Sequence, residues 1–160
     1  MLSATCEYAL RALVLLAREE AGRPMLGKDL ARLAEVPPNY LSKILNTLKR
    51  VGILEATRGT GGGYRLLKTP DEIRLLDVVE VFDSPMAKPM CVLGSTRECD
   101  DGSQCSAHTR WSEVRRVYVA FLESTTLGSI ANSSAPVIAG QSTTMESPAR
   151  AVVPEDSVRS

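Results

Sequence analysis

From Thr5 onward, apolar residues return at helical spacing: Tyr8, Ala12, Leu13, Leu16 and Ala17 share one side. That pattern predicts an amphipathic helix ended near Gly22. A second helix, Gly27 to about Glu35, turns Leu30, Leu33 and Ala34 inward. Val36-Pro37-Pro38 then forces a sharp turn, because proline lacks an N–H and restricts the residue before it. In the third helix, Pro38 to Val51, Leu41, Ile44, Leu45 and Leu48 fall at i, i+3, i+4 and i+7. Asn39, Ser42, Lys43, Asn46, Lys49 and Arg50 share the opposite face, and Gly52 suits the C-terminal cap. Two short runs, Ile53–Thr57 and Tyr64–Leu67, flank a glycine-rich segment and predict a hairpin.

A short helix is expected around Leu76 to Phe82, then an irregular stretch from Asp83 to about Gln104. Beyond it Ala107, Trp111, Val114, Tyr118 and Phe121 recur in alternating steps of four and three along a helix of about 17 residues. So narrow an apolar seam seeks a partner helix, most simply its own copy. Past Gly128 serine, threonine, alanine and proline dominate, which predicts a disordered tail. The expected organisation is residues 1–70 as a helical head with its hairpin, 71–128 as cysteine loop and dimerisation helix, and 129–160 as tail.

The chain has 160 residues, 44% of them hydrophobic and 4% aromatic, enough for one domain whose core is aliphatic. It contains no apolar run of about 18 residues, and its start lacks the basic and apolar regions of a secretory signal. A cytoplasmic protein without a membrane partner is therefore expected. The formal net charge of zero hides an asymmetry. Residues 1–70 carry 11 Lys/Arg against 6 Asp/Glu, a net of +5, while residues 71–126 carry 6 against 10, a net of −4. A basic first half can face a polyanion while the whole molecule stays neutral.

Three short helices with a tight turn before the third, followed by a hairpin, make the order of a winged helix-turn-helix. The fold class expected is thus mainly α, with a two-stranded wing and a long C-terminal dimerisation helix. On the third helix, Asn39, Ser42, Lys43 and Asn46 have the donors and lengths to reach base edges in a major groove, while Lys49 and Arg50 suit backbone phosphate. In the wing, Gly59, Thr60 and Gly61 lack bulk to hold the backbone away from a narrow groove, and Arg58 supplies charge. The same loop fails as a nucleotide site: Tyr64 stands where the dinucleotide fingerprint needs glycine, and no Gly-Lys-Ser/Thr follows. With His108 the only histidine and no nucleophile beside a base motif, the chain does not read as an enzyme.

Cys91, Cys99 and Cys105 are spaced C-x7-C-x5-C, without a C-x2-C pair. Three thiolates on one loop can converge on an iron–sulfur cluster or act as a redox switch; the gaps are too long for the usual structural zinc pattern. Cys6 is expected to be a small buried side chain.

Several segments together resemble the iron–sulfur-linked winged-helix regulators of the IscR, NsrR and RirA group. They are Glu7-Tyr-Ala-Leu-Arg11, Tyr40-Leu-Ser-Lys-Ile44, Arg58-Gly-Thr-Gly-Gly-Gly-Tyr64, the three cysteines, and Thr126-Leu-Gly128. The resemblance covers residues 1 to about 130, although this chain begins Met1-Leu-Ser-Ala where the family usually has Met-Arg-Leu-Thr. It implies a homodimer on a roughly palindromic double-stranded operator, with Arg58 reaching the minor groove. It further implies a 2Fe-2S or 4Fe-4S cluster on Cys91, Cys99 and Cys105. Two residues compete as the further ligand: His108, which follows Cys105 as C-x2-H, and Glu7, reaching from the other subunit. The implied function is a transcriptional repressor sensing iron–sulfur status, redox state or nitric oxide; a cluster-free, thiol-sensing regulator stands beside it.

Overall fold

The computed structural model describes residues 2–19, 22–84, 93 and 105–138. Helix α1 spans Ala4–Arg18. Ser3 caps it by accepting the Cys6 N–H at 3.2 Å, and Glu7 and Arg18 complement the two ends of the helix dipole. The helix ends before Gly22 because Glu19 leaves in an extended conformation. Cys6, Ala9, Ala12, Leu13 and Leu16 are buried as a stripe, but Val14 and Leu15 are buried too. Thus α1 is a central helix covered from several sides rather than an amphipathic surface helix.

Helices α2 (Gly27–Ala34) and α3 (Pro38–Arg50) form the helix-turn-helix. Pro38 occupies the first turn of α3, where a missing N–H costs nothing. Leu41, Ile44, Leu45 and Leu48 all point into the core, as the heptad-like spacing requires. At the other end the Ile53 N–H donates to Leu48 O at 3.0 Å, closing α3 and starting the wing.

The wing pairs β1 (Leu54–Thr57) antiparallel with β2 (Gly63–Leu66), Leu54 opposite Leu66 and Thr57 opposite Gly63. Arg65 and Glu55, directly opposite, form an ion pair. Tyr64 exchanges two backbone hydrogen bonds with Met25, 2.9 and 2.8 Å, so the hairpin is stitched to the segment that opens α2.

After a 3-10 turn at Pro70–Glu72, α4 (Leu75–Phe82) packs on α1, and α5 (His108–Ser124) matches the expected 17-residue helix. The chain then returns. Leu75 N–H donates to Thr125 O and Leu127 N–H to Ile73 O, each at 2.9 Å, leading into α6 (Leu127–Ala131). Gly128 leaves room here for the Asp71 side chain, whose carboxylate would have to turn aside for a Cβ.

One core runs through both expected domains, with Val78, Val79, Leu122 and Leu127 in the same cluster as Leu13, Leu30 and Leu45. The expected tail also begins too early. Residues 129–138 include the end of α6, and Ile130, Ala131 and Val137 pack on the core. The Arg18 guanidinium holds this segment by donating to the carbonyls of Ala131 (3.2 Å), Ser133 (3.0 Å) and Ala135 (2.7 Å). Composition concealed this because the capture uses main-chain oxygens, which every residue carries.

Candidate nucleic-acid interface

Asn39, Ser42, Lys43, Asn46, Lys49 and Arg50 are all exposed on α3, and the leucines opposite fix its rotation. The Ser42 hydroxyl donates to Pro38 O at 2.9 Å, so it faces outward as an acceptor, suited to an exocyclic amine of a base. Thr47 Oγ1 donates to Lys43 O at 3.1 Å and accepts from Arg50 at 3.4 Å. That contact lays the guanidinium along the last turn of the helix. A face of short polar groups followed by cations can read base edges at one end and phosphate at the other.

In the wing, the glycines divide by task. A Cβ on Gly62 would lie 2.3 Å from Thr57 O, and one on Gly63 would lie 2.4 Å from Met25 O. Those two let the hairpin close and dock. Gly59 and Gly61 have positive φ and open space around them, beside exposed Arg58 and Thr60. Only the outer pair keeps the tip free of bulk for an approaching groove.

Sequence reasoning missed an aromatic assembly under the first turn of α3. Tyr40 and Tyr8 meet edge to face with centroids 5.8 Å apart, Thr5 and Tyr40 share a hydroxyl hydrogen bond, and the Arg11 guanidinium lies 5.3 Å from the Tyr8 ring centre. The helical spacing places Tyr8 on the apolar side of α1, and Tyr40 is 39% exposed. Their meeting depends on how α1 crosses α3, which neither helix's own pattern records.

Of the proposed cluster ligands, Cys91 and Cys99 lie outside the described residues. Cys105 and His108 are half-buried and share the turn that starts α5, where His108 N–H donates to Cys105 O at 3.0 Å. Glu7 is exposed on the first turn of α1. Among the described residues no three His, Cys, Asp or Glu side chains converge as a metal site, so Glu7 does not join Cys105 and His108 within one chain.

Cys6 is fully buried, as expected. Burial, followed by the neighbouring Asp83 carboxylate, pushes its thiol up to about 12. Asp83 also accepts the Ser3 N–H at 2.9 Å, tying the end of α4 to the cap of α1. Burial raises Tyr118 in the same way, with Cys6 and Asp83 adding to the effect, so α1, α4 and α5 meet here.

A family model described as "Rrf2: Iron-dependent Transcriptional regulator" matches residues 2–133. The chain belongs to the Rrf2 family. Rrf2 proteins are DNA-binding transcriptional regulators and not enzymes, and the winged helix-turn-helix is their fold. An Aquifex aeolicus protein assigned to the HTH-type transcriptional regulators is 30% identical over 132 residues, covering 81% of this chain and 90% of its own length. The regulator IscR of Aliivibrio salmonicida is 28% identical over 123 residues, covering 77% and 72%. Among solved structures, CymR, the global cysteine regulator of B. subtilis, superposes with a TM-score of 0.70 at 26% identity, covering 82% of this chain and 95% of that one. Among the described residues no helix is long and apolar enough to cross a membrane.

Proposed function

We propose that this Rrf2 regulator is a dimeric repressor that grips a roughly palindromic operator and senses redox or iron–sulfur status through its cysteine loop. The observation that carries the DNA half is the exposed polar and cationic face of α3, fixed in rotation by its buried leucines beside a wing docked on Met25. Asn39, Ser42, Lys43 and Asn46 read base edges; Lys49 and Arg50 hold phosphate; Arg58, with Gly59, Thr60 and Gly61, enters the minor groove. The dimer half is supported by α5, of whose residues only Leu122 is buried. Val114, Val117 and Phe121 are 56, 65 and 52% exposed along it. An apolar stripe left to water on a single chain is the mark of a helix with a partner.

For the sensing half, Cys91, Cys99 and Cys105 would hold an iron–sulfur cluster, with His108 or a Glu7 from the second copy completing it. What supports this is the donor chemistry: a half-buried thiol and an imidazole on one turn at the base of α5, with two further thiols, Cys91 and Cys99, shortly before them in sequence. Bound there, the cluster would supply a crosslink sensitive to oxygen and nitric oxide. The chain's own part is mechanical: Asp83 fastens the end of α4, next to the loop, to the N-terminus of α1, and α1 carries the ring that Tyr40 leans on.

A thiol switch using the same cysteines is the second reading, favoured by the likeness to CymR, named a cysteine regulator. Anaerobic purification from cells that build clusters separates the two. Brown protein with absorbance near 400 nm that is lost in Cys91→Ala, Cys99→Ala and Cys105→Ala supports the cluster. Colourless protein, free of iron and sulfide, whose operator affinity changes on oxidation supports the thiol switch.

A further inference from the structure

We propose that the groove between α1 and the first turn of α3 receives the 5-methyl edge of a thymine, with the Tyr40 ring as its apolar wall. This rests on the operator-binding reading above and adds a specificity determinant to it. The groove is open, about 490 Å³, and lined by Ala4, Tyr8, Pro37, Asn39, Tyr40 and Lys43. Its walls are two aromatic rings, a proline and an alanine; besides the two tyrosine hydroxyls, that of Tyr40 bonded to Thr5, its polar groups are Asn39 and Lys43, both on the exposed side of α3. A phosphate would need donors inside such a recess, and only Lys43 offers a charge. Of the groups displayed in a major groove, the one that matches an apolar wall is the thymine methyl.

Tyr40 is built for that contact rather than for a hydrogen bond to a base. Its hydroxyl is already engaged with Thr5, its ring rests against Tyr8, and Tyr8 is in turn covered by Arg11. The ring is therefore held in place before DNA arrives, so contact orders little further. Asn39 and Lys43, one residue before and three after, lie on the same lip and bring the neighbouring nucleotides into reach.

The test uses the full chain, purified without oxygen, to select duplexes from a randomised pool. Each thymine of the selected operator is then replaced singly by deoxyuridine, which deletes only the methyl, and affinity is read by fluorescence anisotropy. We expect one thymine per half-site whose replacement weakens wild-type binding about fourfold, the value of burying one methyl-sized group. Tyr40→Ala should bind the thymine operator more weakly by a similar factor, bind the deoxyuridine operator no worse than that, and select operators without a preference at this position. Tyr40→Phe, which keeps the ring, should retain the discrimination and melt near wild type, and Tyr40→Ala, which gives up the contact with Tyr8, should melt lower but stay folded at the assay temperature by circular dichroism. A wild type that binds its operator but ignores every deoxyuridine overturns the proposal, as does a Tyr40→Ala protein that keeps the full deoxyuridine penalty. Failure to enrich any duplex instead removes the operator-binding reading, and this proposal with it.

Discussion

A single arginine at the wing tip and a single buried thiol make opposite demands on their surroundings. Arg58 is exposed beside two unencumbered glycines, and Arg58→Ala should weaken operator binding by about 1 to 3 kcal/mol, measured by anisotropy at fixed salt. Unchanged affinity would remove the wing from the groove. Cys6, by contrast, is sealed in the core, and its thiol is raised from 9.0 to about 12. Because the folded state favours the neutral thiol, its contribution to stability is full below pH 9 and is lost as pH climbs towards 12. Urea midpoints should fall across that alkaline range in the wild type and fall less in Cys6→Ala. Native Cys6 should also resist alkylation at pH 8 that modifies it after unfolding.

At the scale of elements, most of the architecture was legible because it obeys local periodicity. The leucines of α3 declared its buried face and the seam of α5 declared its length, but the apolar residues α5 leaves exposed are Val114, Val117 and Phe121, whereas Tyr118 of the expected seam packs on the core. What periodicity could not carry was contact between distant segments. The division of the wing glycines depends on Thr57 and Met25 carbonyls, and the close approach at Gly128 depends on where the Asp71 side chain lies. The docking of residues 129–138 depends on one side chain 113 residues away from the first carbonyl it holds. Arg18→Ala should therefore free that segment: amide exchange at residues 131–138 should rise, and the melting temperature should drop by roughly 2 to 4 °C for each kcal/mol lost. Persistent protection would show that Ile130 and Val137 hold the segment without the clasp.

For the whole molecule, the proposed pairing of two copies is what remains to be measured. If α5 pairs with its own copy, Val117→Glu with Phe121→Glu should convert the dimer to monomer by light scattering, with little loss of fold, since both side chains are exposed in the single chain. Operator affinity should fall steeply at the same time, because one reading head then faces half-sites set about 34 Å apart. A dimer that survives both substitutions would place the interface elsewhere. The charge split bears on the partner and not on the pairing: a basic half can face a polyanion while the acidic half keeps the molecule as a whole neutral.

The wing keeps its anchorage and its reach in separate residues. Gly62 and Gly63 are committed to carbonyls of the protein itself, whereas Gly59 and Gly61 have open space around them among the described residues, and Arg58 and Thr60 beside them are exposed. The tip is consequently an exchangeable cassette. A different tetrapeptide of the same turn geometry, grafted between Thr57 and Gly62, would retune which minor-groove widths are tolerated while leaving folding, partner choice and signal intact.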